Sequence, residues 1–106
     1  MNAFVCLTLI APRSLRDELF DYLSGQDDLV SGFTASEAAG HGRDVRLQTP
    51  AERVRGHAEE VLVRMILREP DATCLLDRLK TAFAGSGLIY WLMPVTQFGR
   101  LDGPKA

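Results

Sequence analysis

Excess positive charge is what this 106-residue chain most plainly lacks: 12 lysines and arginines stand against 14 acidic side chains, for a formal net charge of −2. Nonspecific nucleic-acid binding rests on a polycationic surface, so nucleic acid is not an expected partner. Cysteine is equally scarce. Cys6 and Cys74 lie far apart, each inside an apolar segment, and read as buried, inert thiols in a reducing compartment rather than as a disulfide framework. No apolar run approaches the roughly 20 residues that span a bilayer. The apolar stretch NAFVCLTLIAP has no basic leader and reads as a first strand rather than a signal peptide. The cytoplasm is therefore the expected compartment. Catalytic pairings are missing too: no nucleophile has an evident base partner, no two carboxylates share an apolar setting, and neither cysteine has electropositive neighbours to activate it. A non-enzymatic role is the expectation.

What is present is globular composition, 46% hydrophobic and 25% charged, in a length that suits one core, so residues 1–106 are read as a single domain. Residues 2–11 are apolar on both alternating faces, Phe4, Cys6 and Ile10 on one and Val5, Leu7 and Leu9 on the other, as in a central strand covered twice. Pro12 and the capping pattern Ser14-x-x-Asp17 open a helix with Leu15, Leu19, Tyr22 and Leu23 on one stripe, ended by Gly25. Residues 29–40 read as a second strand anchored by Val30 and Phe33 and loosened by Gly32. Residues 41–57, with Gly42, Pro50, Gly56 and four arginines, read as a long exposed loop, and a loop of that length in so small a domain usually carries function.

The stretch EEVLVRMILRE alternates cleanly, Val61, Val63, Met65 and Leu67 against Leu62, Arg64, Ile66 and Arg68, and predicts a third strand. Pro70 and Asp71 start a second long helix with Leu75, Leu76, Leu79 and Phe83 on one face, closed by Gly85. Residues 88–96 supply a fourth strand, which Pro94 assigns to a sheet edge. In this order the elements predict the ferredoxin-like βαββαβ fold, an α+β arrangement with both helices on one face of a four-stranded antiparallel sheet. Two helices cover one face only, while three strands are apolar on both. The open face needs a partner, and burying about 800 Å² per subunit in an oligomer would supply one of standard size. Trp91 and Tyr90 fit strand packing, with an interface or a stacked base as the alternatives.

The run GFTASEAAGHGRD at 32–44, the long loop, and GSGLIYW at 85–91 together resemble the PII-type signal-transduction proteins. The resemblance spans nearly the whole chain in element order, although its specific motifs cover only about two dozen positions. It is nearest to a short-loop branch of domains of unknown function associated with heavy-metal efflux systems, and the architecture is shared with the CutA divalent-cation tolerance proteins. It implies a homotrimer in which open sheet faces meet, with an adenine nucleotide or other small molecule in the clefts between subunits. The implied protein partner, a membrane transporter or a regulator, would meet the 41–57 loop.

Carried over by position, Gly85, Ser86 and Gly87 match the turn whose amides hold phosphates, and Gly40, Gly42 and Arg43 match the opening of the signalling loop. Asp44 stands where those proteins have a glutamine that senses ligand and magnesium, and Leu88 replaces a phosphate-binding lysine. Arg100 falls near their phosphate-contacting arginines, in a local pattern, FGRLDG, that departs from theirs. The loop has no tyrosine to modify. A second expectation rests on the residues themselves: His41 and His57, with Asp44, Glu59 and Glu60 nearby, are candidate ligands for a divalent metal, although their spacing matches no established signature. The sequence thus leaves three functions open: a nucleotide-gated regulator, a divalent-metal sensor, or a ligand-free trimeric adaptor.

Overall fold

The computed structural model describes residues 3–42 and 45–103. Aliphatic alternation builds the centre of the fold. Strand β1 (Phe4–Pro12) sends Val5, Leu7, Leu9 and Ala11 to one face, and β3 (Ala58–Arg68) answers with Val61, Val63, Met65 and Leu67. The two pair antiparallel from Phe4 opposite Arg68 to Pro12 opposite Glu60, so the two apolar rows lie side by side. Strand β2 (Thr34–Gly40) adds to the far side of β3, and β4 (Ile89–Val95) adds to β1. The resulting order β2-β3-β1-β4 is the ferredoxin-like sheet expected, with β4 and its Pro94 at an edge.

Helices α1 (Arg16–Ser24) and α3 (Glu69–Ala82) lie over this apolar row, burying Leu19 and Leu23 from one and Ala72, Leu75, Leu76 and Leu79 from the other. Phe20 packs on Phe33, and Tyr22 meets Phe83 edge-on at 5.5 Å, which ties α1 to α3. A guanidinium fork adds a polar tie. Arg78 donates to both Asp28 carboxylate oxygens at 2.9 and 3.0 Å and to Gln26 at 2.7 Å, and that hydrogen-bonded pairing, ahead of the simple charge attraction, lowers the Asp28 carboxyl below its usual range.

Four local expectations are corrected. Strand β2 begins at Thr34 rather than at 29, because the amides of Leu29 and Val30 both turn back to the Gln26 carbonyl. Turn chemistry at Asp27 and Asp28 outweighs the β-propensity of Val30, which plugs the core from a turn. Ser14 caps no helix: residues Arg13–Leu15 form a 3₁₀ turn, α1 starts without a side-chain cap, and the Ser14 hydroxyl donates to Gln48 instead. The 41–57 loop holds a short helix, α2 (Pro50–Arg55). Finally, both cysteines are free, but Cys74 is exposed on the solvent side of α3 and Cys6 is half-buried on the open sheet face. Among the described residues no helix is long and apolar enough to cross a membrane.

The open face carries the alternate set: Phe4, Cys6, Thr8 and Ile10 of β1, Leu62, Arg64 and Ile66 of β3, and Ile89, Trp91 and Met93 of β4. Among the described residues only the segment after β4 reaches it, where Phe98 packs on Phe4 with ring centres 5.6 Å apart; no helix covers the rest. Ile89 and Met93 are 52% and 54% exposed and Trp91 39%, so Trp91 is not interior packing within one chain. Thr8 alone is sealed there, at 1% exposure, between Arg64 and Trp91, which oppose it on the two flanking strands. Strand β4 is also thinly covered on its helix side, where Tyr90 and Leu92 remain exposed and the Lys80 ammonium of α3 reaches over the Tyr90 ring.

Candidate functional site

A cleft of about 430 Å³ opens where the loop, the ends of β1 and β3, and the turn after α3 converge. One wall is the glycine turn. Gly85 and Gly87 have φ of +75° and +80°, left-handed values that a β-carbon would strain. The Ser86 amide donates to the Phe83 carbonyl, and the Leu88 amide to the Ser86 hydroxyl. One amide of the expected phosphate nest, that of Ser86, and the amide that follows it are therefore engaged internally. Gly85 and Gly87 have no such bond among the described residues, and theirs are the N–H groups left for an anion. The Leu88 side chain is half-buried and packs against the core.

The opposite wall is the loop, and its geometry follows from one carboxylate. Thr49, Pro50 and Glu52 form a capping box: the Thr49 hydroxyl accepts from the Glu52 amide at 3.1 Å while Glu52 Oε1 accepts from the Thr49 amide at 3.3 Å. Glu52 is only 4% exposed, and it accepts further bonds, from the Gln48 amide to Oε1 and the Glu59 amide to Oε2, each 2.5 Å. The amides of Gln48 and then Glu59 hold its carboxyl below the usual range against the opposing effect of burial. One side chain thus clasps the loop, α2 and the start of β3. The signal was present in the sequence as T-P-x-E, and reading 41–57 as one long exposed loop missed it.

In a neighbouring shallow depression that shares Glu59 and Glu60 with the cleft, Arg13 pairs with Glu37 at 3.3 Å and Glu59 at 3.7 Å, and Arg55 also pairs with Glu59. Glu60 shares no such partner among the described residues, and burial first, then the nearby Glu52 charge, raise its carboxyl. Gly40 is buried directly beneath Glu60, whose carboxylate occupies the space that a β-carbon would need. Its role in the described structure is close approach. Arg46 lines the cleft. Arg43 and Asp44 lie outside the described residues. Gly42 has φ +124° at the exit from β2, and His41 and His57 meet with ring centres 5.4 Å apart.

Arg100 is elsewhere. It lies in a second groove of about 570 Å³ with Arg64, over a floor that includes Phe33, Ile66 and Phe98 and beside Ser31, Gly32 and Thr34. Among the described residues neither arginine makes an ion pair. The glycine turn precedes β4 and Arg100 follows it, so the seven residues of that strand set the two grooves roughly 20 Å apart at about 3.3 Å per residue. Of the residues expected to hold one ligand, the structure brings Gly85, Ser86 and Gly87 to the loop but leaves Arg100 at the other end of the sheet.

This geometry defines a ferredoxin-like α+β chain with a glycine turn facing a clasped loop, the fold of the PII-like proteins. The chain belongs to the family described as "Protein of unknown function (DUF3240)", which it matches over residues 1–102. Its fold resembles a crystal structure of a DUF3240 family protein from Shewanella baltica OS155, with a TM-score of 0.76 at 24% identity over 96% of this chain and 100% of that one. It also resembles CPII, a nitrogen regulatory PII-like protein from Thiomonas intermedia K12 bound to ADP, AMP and bicarbonate, with a TM-score of 0.68 at 17% identity over 92% and 94% of the two chains. A PII-like signalling protein from Thermus thermophilus aligns with a TM-score of 0.63 at 19% identity over 88% and 87%. No curated protein matches the sequence.

Proposed function

We propose that the chain is a non-enzymatic, PII-like regulatory protein that assembles as a homotrimer and binds a small anionic ligand between subunits. The observation that carries this reading is the division of the site. The glycine turn with its free amides and the Arg64–Arg100 groove stand at opposite ends of β4, and a neighbouring copy seated on the open face would bring one chain's turn to the next chain's arginines. The exposed row of Ile89, Trp91 and Met93 supports the same assembly, since monomeric proteins rarely leave so continuous an apolar strip to water.

An adenine nucleotide is the first ligand to try, because CPII of Thiomonas is described with ADP and AMP bound. The turn brings no cation of its own, Leu88 being committed to packing, so the ligand's charge would be met by Arg46 beside the turn, by Arg43, and by Arg64 and Arg100 from the neighbour. Gly40, Gly42 and Asp44 would serve the loop's change of state rather than grip the ligand. The loop of residues 41–57, ordered by Glu52 in one arrangement, would present occupancy to a partner such as a transporter or regulator, favouring whichever loop state the ligand contacts better. Free cysteines, one of them exposed, suit a reducing cytoplasm.

Light scattering of the purified chain, followed by thermal shift with ADP, AMP and ATP, tests the reading. A trimer whose melting temperature rises with a nucleotide supports it; ligand at 100 times its Kd adds about 2.7 kcal/mol. A monomer that no nucleotide stabilises contradicts it.

A further inference from the structure

His41 and His57 are separated by 15 residues of loop, yet the strand register brings them together. Strands β2 and β3 end their ladder at Gly40 opposite Ala58, so His41 and His57 occupy the next facing positions, where side chains of an antiparallel pair approach closely. Glycines hold both in place. Gly42 follows His41 with φ +124°, and Gly56, with φ +76°, caps α2 through its amide to the Glu52 carbonyl and delivers the chain to His57. The ring centres are 5.4 Å apart with the planes inclined at 44°.

That separation suits two nitrogens on one ion. A metal–nitrogen bond of about 2.1 Å puts the metal about 3.2 Å from each imidazole centre, and a tetrahedral angle then separates the two centres by about 5.2 Å. A tilted ring contact has the same spacing, but His41 is exposed, which leaves the pair open to an ion from solution. The shallow depression beside His57 is rimmed by Glu37, Glu59 and Glu60, with Arg13 as its cation, a setting that tolerates added positive charge. Among the described residues no third His, Cys, Asp or Glu completes a set with the two histidines, so water would fill the remaining positions.

We propose that His41 and His57 form a two-imidazole chelate for a borderline divalent transition ion, Zn²⁺, Ni²⁺ or Cu²⁺, at the stem of the 41–57 loop. The inference stands apart from the anion site and from assembly, since both ligands belong to one chain. Bound metal would pin the two ends of the loop together, so occupancy would read out as loop order. Imidazole in preference to carboxylate or carbonyl selects these ions over Mg²⁺ and Ca²⁺, with Cu²⁺ bound most tightly.

The test is calorimetric titration of the chain, free of any histidine tag, with Zn²⁺, Ni²⁺, Cu²⁺ and Mg²⁺, accompanied by amide exchange over residues 45–56. The proposal predicts one ion per chain for the three transition metals, none for Mg²⁺, and slower exchange in the loop with metal. His41→Ala and His57→Asn should each weaken binding by more than the roughly tenfold that even an outer partner's removal costs. His41 is exposed, so its variant tests the site without touching the core. The proposal is overturned if the wild-type chain binds no transition metal, or if it binds one that His41→Ala retains at full affinity.

Discussion

Thr49→Ala removes one oxygen from the capping box and should loosen the loop without weakening the fold. Helix α2 has six residues, far below the 12–15 at which an isolated helix becomes even marginal in water. Its order must come from its ends. At the N-terminus the Thr49 hydroxyl accepts from the Glu52 amide at 3.1 Å, and at the C-terminus Gly56 returns its amide to Glu52 at 2.8 Å. Replacing a threonine cap by alanine costs about 1 kcal/mol, and each 1.4 kcal/mol is tenfold, so the local opening equilibrium should rise about fivefold. Native-state hydrogen exchange would show faster exchange at Glu52, Arg53 and Gly56, while amides of β1 and β3 keep their wild-type protection. Unchanged exchange across 50–56, or an equal loss of protection in the central strands, would refute the view that the cap orders the loop separately from the core.

Other perturbations separate the remaining parts of the account. Leu75→Ala, at a position with no exposed surface, should cost 2–5 kcal/mol and lower Tm by at least about 8 °C, measured by calorimetry. Glu52→Gln and Glu60→Gln should act with opposite signs. The Glu52 carboxyl is lowered by the fold, so its contribution is present above its ordinary value and is lost as pH falls through the folded one; Glu52→Gln should therefore loosen the loop at neutral pH, by exchange, and matter little in acid. The Glu60 carboxyl is raised, so the wild type loses stability as pH rises from about 4.3 through the folded value; Glu60→Gln should raise Tm at pH 7 and not below pH 4. Trp91→Asp, on the open face, should produce a folded monomer by light scattering that has lost nucleotide binding.

Much of the fold was legible because it rests on periodicity. The period-two alternation in residues 61–68 and the helical stripe of Leu75, Leu76 and Leu79 each have one burial solution, and the structure adopts it. Pro94 identified the edge. The errors fell where local hydrogen bonds compete with pattern: Val30 reads as strand until the Gln26 carbonyl takes its amide, and Thr49 with Glu52 makes helix out of a segment with too few apolar residues to announce one. The glycine turn and the loop were visible as motifs, but their facing each other across a cleft was not, and the pairing of His41 with His57 depends on a strand register that no spacing rule supplies. Arg100 illustrates the converse. Sequence likeness grouped it with Gly85, Ser86 and Gly87 in a cleft between subunits, and within one chain the length of β4 separates them, as a site shared between two chains requires.

Subunit mixing tests this central claim directly. Gly87→Val removes the turn from a chain and Arg100→Ala removes the arginine, and each variant alone should bind nucleotide poorly. Unfolded together in equal amounts and refolded, the two would form mixed trimers in which a site is whole only when an Arg100→Ala chain offers its turn to a Gly87→Val chain's arginine. Random assembly then restores binding at about one site in four. Recovery near that fraction is the predicted result, and no recovery in trimers shown to be mixed would contradict a site shared between subunits.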